Sequence, residues 1–115
     1  VKSEFSPQHS EPLQKRWFFI YKIRIENQGS VPVKLLNRSW IITDADGRVE
    51  RVRGAGVVGE QPLIAPGNTF EYSSGCPLGT PFGSMHGAYE MTDENGTRFE
   101  VPIPPFALRL PESMN

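Results

Sequence analysis

Cysteine is almost missing from this chain of 115 residues: Cys76 stands alone. One thiol cannot close an internal disulfide, so a reducing compartment, the cytoplasm, is expected. Only two histidines accompany it. That leaves no His/Cys set at zinc spacing, and no metal or cofactor is expected. An excess of one charge is also lacking. Twelve basic residues stand against thirteen acidic ones, a net charge of −1 and a pI near 6.1, whereas nucleic-acid-binding domains usually exceed a pI of about 9, so no nucleic-acid partner is expected. The longest apolar run, Trp17 to Tyr21, is far short of the roughly twenty residues a helix needs to cross a bilayer. No basic segment followed by an apolar stretch opens the chain, so no export signal is expected. The first residue is Val1 rather than Met, which leaves room for a leader or a neighbouring domain upstream.

Breakers, by contrast, are plentiful. Eleven glycines and eleven prolines cannot be hidden inside long helices, so bundles and coiled coils are excluded. With 37% hydrophobic and 22% charged residues the chain has the composition of an ordinary globular domain. Its apolar residues alternate. Phe19, Tyr21, Ile23 and Ile25 fall on one face of an extended segment, and Lys22, Arg24 and Glu26 on the other. After a turn at Asn27–Ser30, the segment Val33 to Thr43 places Leu36, Trp40 and Ile42 on one face and Leu35 and Ile41 on the other. That pattern predicts a central strand covered on both sides. Asp44–Gly47 reads as a hairpin turn into a short strand, Arg48 to Arg53. Pro66-Gly67 is a further turn.

Phe70 to Ser74, Met85 to Met91, and Phe99 to Ile103 alternate in the same way, the last two joined by a turn at Asp93–Gly96. A last short strand, Phe106 to Leu110, follows Pro104-Pro105. No window repeats at 3.6 residues. The expectation is an all-β antiparallel sandwich of seven or eight strands with little or no helix, favoured over a small barrel.

Several blocks then carry a resemblance. Leu35 to Asp44, Gly54 to Pro62, Pro66-Gly67, Tyr72 to Gly75, Gly83 to Gly87 and Pro102 to Phe106 resemble the ApaG domain family in order and spacing, over nearly the whole chain. Ser39 stands where relatives often carry an aromatic residue or histidine. The resemblance implies one domain over residues 1–115, with an immunoglobulin- or fibronectin-III-like sandwich. It also implies a partner-binding role, as for the family's modules in larger eukaryotic proteins. Bacterial members are associated with dinucleoside-polyphosphate hydrolysis by gene neighbourhood, and with cobalt and magnesium efflux by genetics.

Among the residues that could carry chemistry, Gly54-x-Gly56-x-x-Gly59 matches the dinucleotide-binding pattern literally. That mechanism needs a following helix, and Glu60-Gln61-Pro62 leaves no room for one. A helix-free anion nest remains as a reading, with Gly54, Gly56 and Gly59 beside Arg51 and Arg53 on one strand face, as a site for pyrophosphate or a polyphosphorylated nucleotide. The plainer reading is a tight crossover that needs glycine. Cys76 and His86 show no spacing that would join them as nucleophile and base, and no catalytic residue is expected. Asp44, Asp46 and Gly47 are a fragment of a calcium loop, better read as a turn. The sequons at Asn37 and Asn95 are expected to be unused.

Trp40 is expected in the core. Arg38, on the same face, is expected to stack on an aromatic ring or pair with Glu60. Trp17, Phe18 and Phe82 escape the alternation. They are candidates, with Arg38, for an exposed partner site, or else fill the second face. The leading expectation is a non-enzymatic module binding a protein partner; the second is a small-anion binder at Gly54–Gly59.

Overall fold

The alternating segments fold as eight strands in a computed structural model that describes residues 1–111. In chain order they are β1 (Lys2–Phe5), β2 (Trp17–Glu26), β3 (Val33–Asp44), β4 (Val49–Ala55), β5 (Leu63–Ile64), β6 (Thr69–Leu78), β7 (Phe82–Thr92) and β8 (Arg98–Arg109). Two three-residue 3₁₀ turns, Pro7–His9 and Pro12–Gln14, lie between β1 and β2. The described residues contain no α-helix. All strand pairs are antiparallel. They form two sheets, β1-β2-β6 and β4-β3-β7-β8, with β5 also pairing with β3. The expected sandwich is therefore present, and no helix is long and apolar enough to cross a membrane.

The inward rows of the two sheets meet in one core. Phe19, Tyr21, Ile23, Tyr72 and Cys76 come from the three-stranded sheet, and Leu35, Trp40, Met85, Tyr89 and Ile103 from the other. Trp40, 2% exposed, is its centre. The ring meets Tyr21 of the opposite sheet edge-on at 5.5 Å, and Phe106 and Tyr89 at 5.9 and 6.4 Å. Such edge-to-face pairs each add about 0.5–1.5 kcal/mol to the burial itself.

Three expectations need correction. In β3 a bulge at Leu36 shifts the register between Leu35 and Asn37. One extra residue reverses the side-chain parity, so Leu35 joins Trp40 in the core and Leu36 does not. The strand is central within its sheet but covered by the second sheet on one face only. Asn37, Ser39, Ile41 and Thr43 lie on the open face, and Ile41 is half-buried. Finally, Pro104-Pro105 do not separate two strands. They sit where β8 shifts register against β7, between the pairs Met85↔Phe106 and Gly87↔Ile103. A bulge on an edge strand tolerates the missing amide donors.

Candidate functional site

The glycine segment runs out of β4 and back along the edge of β3. Gly54 pairs with Arg38, and a Cβ at Gly54 would lie 2.7 Å from the Arg38 Nη1. The guanidinium thus occupies the space a side chain would take. From there Nη1 donates to the carbonyl oxygens of Ala55 at 3.1 Å and Gly56 at 3.0 Å. This replaces the expected pairing with Glu60, because loop carbonyls lie nearer than that carboxylate.

Beyond Gly54 the chain makes a two-residue hairpin. Val57 and Glu60 exchange backbone hydrogen bonds at 2.8 and 2.9 Å, with Val58 at φ +44° and Gly59 at φ +80° between them. Positive φ at both central residues is the primed turn that suits antiparallel strands. Val57 is fully buried and anchors the hairpin. Gly56, at φ +62°, donates its amide to Leu36 O at 2.8 Å. The amides of Gly56, Val57 and Glu60 therefore already have carbonyl acceptors. Those of Val58 and Gly59 have none among the described residues.

Arg51 and Arg53 share the opposite face from Arg38, beside Ile41 and Ser39. The structure thus brings Arg38 to Gly54 and Gly56, and places Arg51 and Arg53 on the sheet's open face. Arg53 borders a groove of about 510 Å³ on that face. Ser39 and Ala88 form its shallow floor, and Glu90 and Glu100 lie across from Arg53. Asn37 Nδ2 donates to Glu90 Oε1 at 2.7 Å, and Arg98 approaches the same oxygen at 3.4 Å. Arg53 thus stands on one wall, and the other carries Glu100 beside the Glu90–Arg98 pair. The alternation of β7 puts His86, Ala88 and Glu90 on one face in the sequence, but not the residues of β3, β4 and β8 beside them.

A second, smaller cleft of about 210 Å³ opens between the two sheets, lined by Tyr21, Arg38, Glu50, Val52, Ser74 and Cys76 among others. Burial, and then the Glu50 carboxylate, push the Cys76 thiol up to about 12. The thiol is held protonated rather than activated. His86 belongs to the open face of β7, on the other sheet, so the two do not meet. Asp44 Oδ1 accepts the amides of Asp46 and Arg48, both at 2.9 Å, and so closes the turn. No cluster of three metal-ligating side chains occurs among the described residues.

The aromatic candidates divide. Trp17 is half-buried against the core. Phe18 lies over Gly75, where a Cβ would collide with its ring, and meets His9 at 5.5 Å. Phe82 is 56% exposed on the other sheet, beside Pro81 and Leu110 in an apolar groove. The three do not share a patch.

Comparison with known proteins gives a consistent result. The ApaG domain model matches residues 7–93. The protein ApaG of Bordetella pertussis is 52% identical over 115 residues, covering all of this chain and 88% of its own. The protein ApaG of Pseudomonas aeruginosa PAO1 is also 52% identical over 115 residues, with all of this chain and 91% of its own covered. A crystal structure of a Bordetella pertussis protein described as ApaA superposes with a TM-score of 0.94 at 53% identity, covering 97% of this chain and 91% of that one.

Proposed function

The chain belongs to the ApaG domain family, and on that footing we propose that it is a non-enzymatic, cytoplasmic module of one domain whose work is to bind a protein partner. The observation that carries this reading is the open face of the five-stranded sheet. Its groove is wide and shallow, with Arg53 on one side and Glu90 and Glu100 on the other. Separated charges of both signs over a small-residue floor suit the mixed surface of a polypeptide, whose complementary charges set orientation and specificity. They suit a polyphosphate poorly, since Glu100, which has no cation within 4 Å among the described residues, would repel it. The protonated thiol of Cys76 favours a binding role over nucleophilic chemistry. Arg51 and Arg53, which have no carboxylate within 4 Å among the described residues, favour the second reading, a small-anion binder for pyrophosphate or a dinucleoside polyphosphate. Any link to cobalt or magnesium efflux would run through the partner.

Affinity capture from the native host, with the parent and an Arg53→Glu/Glu100→Lys variant as baits, tests the proposal. Both sites are exposed, so the two baits should melt within about a degree or two of each other. A partner retained by the parent and lost from the variant is the expected result. Equal retention by both baits would move the site off this face.

A further inference from the structure

The sandwich leaves four strand edges, and they are not alike. β8 carries Pro102, Pro104 and Pro105, which offer no amide donors to an incoming strand. β1 is four residues long and lies against β8, with Ser3 Oγ donating to Ala107 O at 2.6 Å. β6 is long, but its outward charge is matched: Glu71 faces Lys22 at 3.5 Å and Arg24 at 3.7 Å. β4 is different. Its seven residues contain no proline, and its outward Arg51 and Arg53 stand two apart on one face with no carboxylate within 4 Å among the described residues. Their cross-strand neighbours, Ile41 and Ser39, carry no charge.

We propose that β4 is the docking edge for an extended acidic segment of a protein partner, with carboxylates at alternate positions beside Arg51 and Arg53 and apolar side chains between them. The inference rests on the protein-binding reading above and names the partner's chemistry. Added strands gain affinity from main-chain hydrogen bonds and specificity from alternate side chains. Residues two apart in a strand lie about 6.6–6.8 Å apart on one face, so acidic residues two apart in the partner meet both arginines. The opposite face of β4, through Glu50 and Val52, borders the 210 Å³ cleft that Cys76 and Pro77 also line. That space, with Trp40, Ile42, Val52 and Met85 in its lining, suits a small apolar side chain. The edge ends at the Val57–Glu60 hairpin, which limits the docked stretch to about the seven residues of β4.

The test uses three capped nine-residue peptides: one alternating Glu and Val, one alternating Lys and Val, and one with the Glu residues contiguous. Binding is followed by amide chemical shifts of the labelled chain, with a single-stranded DNA oligonucleotide as a general polyanion. The alternating Glu peptide should shift β4 amides with saturation below about millimolar concentration, weaken at least tenfold in 0.5 M salt, and bind more tightly than the contiguous form. Arg51→Glu/Arg53→Glu should weaken it at least tenfold and transfer preference to the Lys peptide. That switch in preference can occur only in a folded variant. Absence of shifts at millimolar peptide, equal binding of both Glu peptides, or equal binding of DNA would each overturn the proposal. In those cases the arginines only guard the edge against aggregation. If capture from the host still depends on the Arg53/Glu100 face, the partner-binding reading survives that failure. Loss of both results removes both.

Discussion

Gly56 bears the hardest constraint in the glycine loop. At φ +62° a Cβ there would be driven into the Glu60 carbonyl oxygen, within the hairpin itself. Gly59 also has positive φ, at +80°, but opens on empty space. Backbone strain alone costs an alanine about 1–2 kcal/mol in this region, and a collision with main chain adds to it. Gly56→Ala should therefore destabilise by about 3 kcal/mol or more, and Gly59→Ala by about 1–2 kcal/mol, read from denaturant midpoints. Equal costs would mean that the hairpin yields at Glu60. A tight crossover is the plainer of the two readings of these glycines in the sequence, and the structure gives the constraint on each. Arg38 could not be read in the same way. Its acceptors, Ala55 O and Gly56 O, are main-chain atoms, and residue identity does not reveal where a loop points its carbonyls.

At the scale of elements, alternation identified the long strands and failed where the ladder is irregular. The bulge at Leu36 is invisible to a period-two reading because residues 35 and 36 are both leucine. The parity error it causes is testable. Leu35 is fully buried, so Leu35→Ala should cost about 2–5 kcal/mol. Leu36→Ala should cost less than half of that, although a strand covered on both faces would make the two costs alike. Thermal melts of the two variants decide it, and a larger loss at Leu36 would contradict the register described. β1 and β5 went unread for a different reason. Lys2–Phe5 has no apolar repeat and Leu63–Ile64 is two residues long, so each is made a strand by its partner. In β8 the prolines signalled a break, yet pairing continues through a bulge.

Across the whole molecule the three tyrosines, Tyr21, Tyr72 and Tyr89, are all buried. Tyr72 and Tyr89 share a hydrogen bond between hydroxyls from opposite sheets. Burial raises all three above the usual 10, Tyr72 to about 12, and raises Cys76 from 9 to about 12. Groups whose folded values exceed their unfolded ones bind more protons in the native state. Their contribution is whole below about pH 9 and is lost as pH rises through about 12. Ultraviolet titration should thus show no tyrosinate near pH 10 while the circular dichroism stays native, and ionisation should coincide with unfolding. A native chain titrating near 10 would contradict the packing of the two sheets.

The class of fold and its tryptophan centre were legible in the sequence. The open, charge-divided face was not, since Arg53, Ser39, Ala88 and Glu100 come from four strands that only pairing brings into rows. In the Gly54–Gly59 loop the amides of Gly56 and Val57 are taken by Leu36 O and Glu60 O, which leaves too few for an anion nest, and the account holds that the chain binds a protein rather than a polyphosphate. Calorimetric titration of the intact chain with pyrophosphate and with a dinucleoside polyphosphate, near physiological salt, bears on this directly. The account predicts no saturable heat at millimolar ligand. A dissociation constant below about 0.1 mM, or more than about 5.4 kcal/mol of binding free energy, would contradict it.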